Sequence, residues 1–330
     1  MGLGIMKKRL FALTMTAGLL LASCGNNSAQ NENSTELRVE DRFKVGIMLP
    51  DVGLGDQSFA DLAVAGLIEA RDELGIVFDY RELGNEPNYE KGIKELVEEG
   101  NDLIFAVGFS LQADLEKIAK ANPKQQFVLI DSESDIENIH SITFKENEGS
   151  YLAGALAAKT SKTGKVAFLG GMVDPVIEKF EKGFAEGAKA VNPTIEVIVA
   201  YADTFSDDKV GKAMAANMIQ QGADVLYAAA GYTGVGLLQQ AQESGVLAIG
   251  VDTDQYTYAE KAVVSSMLKN IDVAVYEFVE NYTKEQPTGQ QRIALGMKEK
   301  AMKLAPVRVI DNATKIEDEL NILSQQQFGQ

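Results

Sequence analysis

Carboxylates and one lysine stand at the ends of predicted strands, where they could hold a polar molecule. Asp131 and Asp252 each follow a short apolar run, and Lys269 ends a third run of the same kind. An ionised carboxylate accepts hydrogen bonds from hydroxyl or ring N–H donors, and each such bond contributes about 1.5–3 kcal/mol. Either carboxylate could instead cap the next helix, and Lys269 could lie in solvent. These residue types favour binding of a small hydroxylated ligand.

Aromatic rings stand where predicted helices begin. Phe59 follows Asp56 and Ser58, either of which could cap the helix, and Phe180 occupies the matching place later in the chain. Two facing rings would sandwich a planar group, and stacking of a base on an aromatic ring is worth about 1–3 kcal/mol. The alternative for Phe59 is a core position between helix and sheet.

A glycine and an aromatic residue follow two further apolar runs. Gly108 and Phe109 come after one run, and Gly231 and Tyr232 come after another. In open α/β sheets ligands bind outside the carboxyl ends of the strands. We therefore count these positions, except Tyr232, among the candidate ligand-binding residues.

The elements that must position these residues are short apolar strands alternating with amphipathic helices, and this pattern occurs twice. Four landmarks recur in the same order at an offset of 120 to 122 residues. They are Ile47–Pro50 with Ala167–Gly170, Phe59 and Gly66 with Phe180 and Gly187, Gly100–Phe105 with Gly222–Tyr227, and Phe127–Asp131 with Ala248–Asp252. The duplication predicts an α/β protein of two doubly wound parallel-sheet lobes, with a hinge and a cleft between them.

We assign residues 43–145 and about 270–288 to an N-terminal lobe, and residues 146–269 and about 289–330 to a C-terminal lobe. In this assignment a helix from about Val273 to Tyr282 returns to the first lobe. A strand-like run, Arg292–Met297, then returns to the second lobe and is followed by a Gln-rich polar tail.

The first 23 residues have the pattern of a bacterial signal peptide. A basic start at Lys7–Arg9 precedes an apolar run from Leu10 to Ala22, which is shorter than the roughly 20 residues that cross a bilayer. Cys24, the only cysteine, follows Ser23 at the expected cleavage point, so we predict that its thiol is acylated. Residues 24–42 then form a polar tether. The predicted location is the outer face of the cell membrane, through this lipid anchor.

Composition and motifs exclude several function classes. The chain has a formal net charge of −17, which argues against a nucleic-acid polymer as partner. It has no Gly-x-Ser-x-Gly, phosphate-loop or His-Glu-x-x-His motif, and its single histidine, His140, has no second His or Cys with which to share a metal. Gly53 and Gly55 lack the third glycine of a dinucleotide fingerprint. We therefore predict no enzyme, no cofactor and no metal site.

Six segments in order resemble the basic membrane lipoprotein family, the purine-nucleoside receptors of ATP-driven importers. The resemblance covers about Lys44 to Pro306. The segments are Gly55–Phe59, Gly149–Gly154, Phe180–Phe184, Ala230–Gly234, Gly250–Gln255 and Ser266–Lys269.

This resemblance implies a type I periplasmic-binding-protein-like fold, a purine nucleoside in the cleft and a membrane permease as partner. The ribose hydroxyls would meet Asp252 and Lys269, while Asp131 would read the base edge. The base would lie between Phe59 and a second ring, for which Phe180 and Phe205 are both candidates. The family usually has Asn where this chain has Ala60, so an amide that could contact the base is absent.

Two other functions stay open at this point. One is a sugar-binding or sensory receptor of the same fold. The other is a nucleoside-processing hydrolase, which the number of cleft carboxylates would suit.

Overall fold

The computed structural model describes residues 41–284 and 291–329, in which two parallel-dominated sheets each carry helices. The first sheet contains, in spatial order, β11 (Arg292–Leu295), β5 (Ile139–Phe144), β4 (Gln126–Ile130), β3 (Leu103–Val107), β1 (Lys44–Met48) and β2 (Val77–Arg81). The second contains β12 (Met302–Leu304), β10 (Val263–Lys269), β9 (Leu247–Asp252), β8 (Val225–Ala229), β6 (Lys165–Gly170) and β7 (Glu196–Tyr201). The predicted α/β fold with two doubly wound sheets is confirmed.

Nine helices of at least nine residues occur within the described ranges, eight between strands and the ninth after β12. They are α1 (Phe59–Leu74), α2 (Glu90–Glu98), α3 (Gln112–Ala121), α4 (Glu146–Thr160), α5 (Pro175–Val191), α6 (Asp208–Gln220), α7 (Gly231–Ser244), α8 (Ile271–Thr283) and α9 (Ala313–Phe328). Short 3₁₀ turns follow β3 at Phe109–Leu111 and β9 at Gln255–Tyr258.

The strand order places a topological switch point in each sheet. β1 pairs with β2 on one side and β3 on the other, and β6 pairs in the same way with β7 and β8. The connections therefore run in opposite directions from these strands and leave a crevice at their carboxyl ends. β3 and β8 are buried along their full length, as expected of central strands covered by helices on both faces.

The chain passes between the two sheets three times in the described part of the structure. It leaves the first sheet after β5, returns after β10, and leaves again between β11 and β12. The returning helix, α8, packs on α1 of the first lobe.

One predicted placement was wrong. The strand predicted at Arg292–Met297 joins the first sheet as β11, parallel to β5, and not the second lobe. A strand pattern shows that a segment needs a ladder partner but not which sheet edge supplies it. β12 and α9 do belong with the second sheet, where β12 is the antiparallel edge and α9 packs on α4. The other predicted lobe boundaries stay a prediction, and the signal peptide, Cys24 and most of the tether lie outside the described residues.

The polar tail predicted at the end of the chain forms α9. Its buried residues Ile316 and Leu320 lie four positions apart, and its last residue, Phe328, packs edge-on against Tyr151 of α4. Composition alone did not reveal this apolar stripe, because glutamines lie between Leu320 and Phe328.

Glycines allow α4 and α5 to pack backbone against backbone. A Cβ atom on Gly187 would lie 1.8 Å from the carbonyl oxygen of Tyr151, and one on Gly154 would lie 1.9 Å from that of Phe184. Both distances are far inside van der Waals contact, so no larger residue fits without moving a helix.

The equivalent contact in the first lobe explains part of the sequence repeat. A Cβ atom on Gly66 of α1 would lie 2.4 Å from the carbonyl oxygen of Asp272, which belongs to α8. Gly66 and Gly187 are the glycines paired by the repeat, so close helix packing accounts for this landmark.

Substituting Gly187→Ala should lower the free energy of unfolding by about 1–3 kcal/mol or more, because backbone atoms of α4 must move. Urea unfolding followed by circular dichroism measures this change. Gly234→Ala in α7 is the matched control, since its Cβ would meet only the Ala228 side chain at 3.3 Å. Removing a helical glycine there gains up to about 1 kcal/mol of helix propensity. Equal stability of the two variants would contradict the packing argument.

Candidate functional site

A cleft of about 180 Å³ lies at the carboxyl ends of strands from both sheets. One water molecule needs about 10–15 Å³ of the same kind of volume, so the cleft has room for a much larger ligand. The first lobe contributes segments after β1, β2, β3 and β4, and the second lobe contributes segments after β6, β7 and β8 together with the ends of β9 and β10. This is the crevice that the two switch points create.

The structure brings ten of the eleven predicted ligand-binding residues to this cleft. They are Asp56, Phe59, Gly108, Phe109, Asp131, Phe180, Phe205, Gly231, Asp252 and Lys269. Ser58 does not line the cleft, but its hydroxyl donates a hydrogen bond to Oδ2 of Asp252 in the other lobe.

Lys269 lies at the centre of one end of the cleft. We call the cluster of Lys269, Asp131, Glu146 and Asp252 at this end the charged pole. The Lys269 side chain is 1% exposed, and its Nζ lies 2.5 Å from Oδ2 of Asp131 and 3.1 Å from Oε1 of Glu146. The ion pair with Asp131 joins the two lobes, since Asp131 follows β4 and Lys269 ends β10. The predicted alternative of a solvated lysine is therefore wrong.

Three aromatic faces surround the same ammonium group. The Nζ of Lys269 lies 4.7 Å from the ring centre of Phe144, 5.2 Å from that of Phe59 and 5.6 Å from that of Phe180. Desolvated cation–π contacts of this kind contribute about 2 kcal/mol. The rings exclude water from the ion pairs while they favour the cation.

Burial and neighbouring charges shift the pKa values in the charged pole. Burial raises the pKa of Asp131 to about 6, although the Lys269 ammonium opposes this shift. Burial likewise raises the pKa of Asp252, again against the influence of Lys269. For Lys269 burial acts to lower the pKa, but Asp131, Glu146 and Asp252 outweigh it and raise the pKa above its usual value. The lysine is therefore charged at neutral pH.

Asp131 and Asp252 share a rare backbone conformation. Both have φ of 63°, in the left-handed region, where Asp is tolerated better than most residues. At each Asp the turn directs the chain out of its strand. Both copies of the repeat have this turn, at an offset of 121 residues. In Asp131, Oδ1 is buried and has no hydrogen-bond partner among the described residues. A buried carboxylate oxygen of this kind is a candidate acceptor for a ligand donor.

Asp56 caps α1, which settles the choice between Asp56 and Ser58. The carboxylate accepts hydrogen bonds from the backbone N–H groups of Ser58, Ala60 and Asp61 at 2.7 to 3.1 Å, whereas Ser58 makes no capping bond. Burial raises the pKa of Asp56 to about 6 in spite of these bonds. Asp56 thus fixes the start of α1 and the position of Phe59.

The other end of the cleft is mainly apolar, and we call it the aromatic pole. Phe109 of the first lobe meets Phe205 of the second, with ring centres 6.2 Å apart and planes at 63°. Phe205 also fills the space at Gly171, where a Cβ would lie 2.1 Å from its ring. Phe180, by contrast, is 4% exposed and packs over Lys269. Phe205 is therefore the more accessible of the two candidate rings.

Sequence reasoning missed several residues at the site. Tyr89 and Ser110 line the cleft with their hydroxyl oxygens 3.3 Å apart, and Met172, Val176 and Ile177 extend the aromatic pole. Met172 follows β6, so it could have been found by the rule that ligands bind at the carboxyl ends of strands, which we call the strand-end rule. Tyr89 directly precedes α2 and is separated from the end of β2, at Arg81, by a loop, so its position gave no such signal.

No group of three or more possible metal-ligating side chains occurs in residues 41–284 and 291–329. In the same ranges, no helix has the length and apolar character needed to cross a membrane.

A family model described as "ABC transporter substrate-binding protein PnrA-like" matches residues 43–329. This chain belongs to the PnrA-like family. It is therefore similar along almost all of its described length to substrate-binding proteins of ABC transporters, and the family description implies a small-molecule ligand and a membrane permease as partners.

Individual relatives of this PnrA-like chain agree with the family match. The ABC transporter nucleoside-binding protein BmpA of Lactococcus lactis subsp. cremoris is 37% identical over 263 residues, 76% of this chain and 75% of the relative. A CD4+ T-cell-stimulating antigen of Listeria monocytogenes is 34% identical over 336 residues, 94% of this chain and 93% of the relative. A solved ABC transporter solute-binding protein from Aeropyrum pernix K1 superposes with a TM-score of 0.74 at 28% identity, over 87% of this chain and 82% of that one.

Acidification should stabilise the ligand-free PnrA-like protein through Asp131. The folded-state pKa of about 6 exceeds the ordinary value of 3.8, so this contribution is complete below the unfolded-state pKa and is lost as the pH rises through 6. Asp56 contributes with the same sign. Urea midpoints between pH 5 and pH 7.5 should therefore fall less steeply with pH in Asp131→Asn than in the unsubstituted protein. An identical pH dependence in the two proteins would show that Asp131 does not titrate in this range.

Proposed function

We propose that this chain is a lipid-anchored receptor on the outer face of the cell membrane that binds purine nucleosides and delivers them to an ABC permease. We infer the ligand class from one observation, which is that a charged pole and an aromatic pole occur together in one cleft. A nucleoside has a hydroxylated sugar and a planar base, which match these two ends.

The ribose hydroxyls bind at the charged pole in this proposal. Asp252 accepts hydrogen bonds from the sugar, and Lys269 donates one, because an ammonium has three N–H donors and Asp131 and Glu146 take two of them. The unpartnered Oδ1 of Asp131 accepts an N–H donor at the edge of the base. Buried charge-assisted hydrogen bonds favour ligands that place both hydroxyls correctly.

The base stacks between Phe59, whose ring also faces Lys269, and Phe205 of the aromatic pole. Ala60 belongs to the buried core and does not line the cleft, so the amide that the family usually carries there has no direct replacement at that position. In this proposal the hydroxyls of Tyr89 and Ser110, which line the cleft, contact the base instead. A hydroxyl both donates and accepts, so we propose that 6-oxo and 6-amino purines both bind.

The mature protein, freed of residues 1–23, should gain thermal stability with inosine, guanosine and adenosine. A ligand at a hundred times its dissociation constant stabilises the folded state by about 2.7 kcal/mol, which differential scanning calorimetry detects easily. Stabilisation by ribose or another sugar in place of nucleosides would favour the sugar receptor, and absence of any nucleoside effect would refute the proposal. Ligand recovered as free base and ribose would favour the hydrolase.

Asp252→Asn provides the matched variant for this experiment. Loss of one charge-assisted acceptor should weaken nucleoside binding about tenfold or more. Asp254→Asn is the control, because Asp254 pairs with Arg308 at 2.8 Å and does not line the cleft. It should leave nucleoside affinity unchanged.

The anchor is tested at Cys24, which lies outside the described residues. Metabolic labelling with a palmitate analogue should mark the unsubstituted protein in membranes, whereas Cys24→Ser should remain unlabelled and keep its leader. Equal labelling of both proteins would place the lipid on another residue, and absence of label from both would exclude the lipid.

A further inference from the structure

Glu146 is a buried carboxylate that none of the proposed ligand contacts uses. It is the first residue of α4, is fully buried and does not line the cleft. Its Oε1 lies 3.1 Å from the Nζ of Lys269, and its Oε2 lies 3.4 Å from the Nζ of Lys179, which is half exposed. Burying a carboxylate is costly unless its charge is compensated, so the burial of Glu146 requires an explanation.

Glu146 also stands at a particular place in the chain. It follows β5, where the chain first passes from the first sheet to the second, and Lys269 ends β10, where the chain passes back. Their ion pair therefore joins two of the three crossings. The third crossing is tied to the second, because the backbone N–H of Asn270 donates to the carbonyl of Ala301 at 2.8 Å.

The geometry at Lys269 shows what Glu146 does. Among the described residues, the ammonium donates hydrogen bonds to Asp131 and Glu146. One hydrogen bond leaves an ammonium free to rotate and tilt, whereas two bonds to fixed acceptors determine the direction of the third N–H. The rings of Phe59 and Phe180 restrict the group further, and Lys269 itself lines the cleft.

We infer that Glu146 is a positioning residue, which holds the Lys269 ammonium so that its remaining N–H points to a ligand hydroxyl. It also couples that contact to the crossings between the lobes. This inference rests on the proposed function, in which ribose hydroxyls meet Lys269.

The test compares Glu146→Gln with Glu148→Gln for binding of inosine and of 2′,3′-dideoxyinosine by isothermal titration calorimetry. Glu148 is the matched control, because it is two residues further along α4 and accepts a hydrogen bond from the Met297 N–H at 2.8 Å without contacting Lys269. Glu146→Gln should weaken inosine binding about tenfold. It should leave dideoxyinosine binding unchanged, because that ligand lacks the hydroxyls that Lys269 meets.

Equal weakening of both ligands by Glu146→Gln would show a general structural role and overturn the inference. So would unchanged inosine binding, or an equal effect of Glu148→Gln.

A ligand-free measurement separates this inference from the proposed function. The groups that face Asp131 are Lys269, Glu146 and Asp252, and the negative charge of Glu146 helps to raise the Asp131 pKa. Glu146→Gln should therefore lower the Asp131 titration midpoint in carbon-detected NMR, whereas Glu148→Gln should not. If the unsubstituted protein binds no nucleoside, the proposed function fails, and an unchanged Asp131 midpoint would then overturn the role of Glu146 as well.

Discussion

The buried ammonium of Lys269 is the interaction on which the rest of the cleft depends. The ammonium interacts electrostatically with three carboxylates. Asp131 comes from the first sheet, Asp252 from the second and Glu146 from the segment between them. Taking such charges out of water costs several kcal/mol per ion, and only close pairing returns that free energy. The lobes must therefore meet at this point with their carboxylates in place. The cluster contains more carboxylates than cations, which is why burial can raise the pKa of Asp131 even beside a lysine.

The repeat explains how two lobes come to present carboxylates to one cation. Each copy has an Asp in the left-handed conformation at the end of its fourth strand, and in each sheet this strand lies two positions from the strand at the switch point. Because the carboxyl ends of parallel strands face the cleft in both lobes, the two Asp residues approach from opposite walls. The next strand of the second copy ends in Lys269, which pairs with Asp131 and Glu146. The first copy has Lys145 directly after β5, but this lysine pairs with Glu148 and Glu299. Only one of the two lysines therefore supplies the charge opposite to the two Asp residues.

The strand-end rule predicted most of the site, and its failures have physical causes. Phe109, Asp131 and Lys269 were found because each follows or ends an apolar run, and such positions meet at one edge of a sheet. Glu146 was missed because its relation to Lys269 spans 123 residues and exists only once both crossings are formed. The fold was predictable from alternating β/α periodicity, yet the partner of β11 was not, since pairing at a sheet edge depends on the crossings and not on local pattern.

The two poles of the cleft place opposite demands on a ligand. A free sugar would satisfy Asp252 and Lys269 but leave Phe109, Phe205 and their apolar neighbours without contacts, although burying such surface gains about 25 cal/mol per Å². A free base would fill the aromatic pole but offer no hydroxyls to the charged pole, where an acceptor left unpaired costs about 1–3 kcal/mol. Neither half alone meets both demands, which supports the proposed ligand, a molecule in which sugar and base are joined. In this proposal the affinity for the joined ligand exceeds what either pole provides, because ordering the second half costs little once the first is bound.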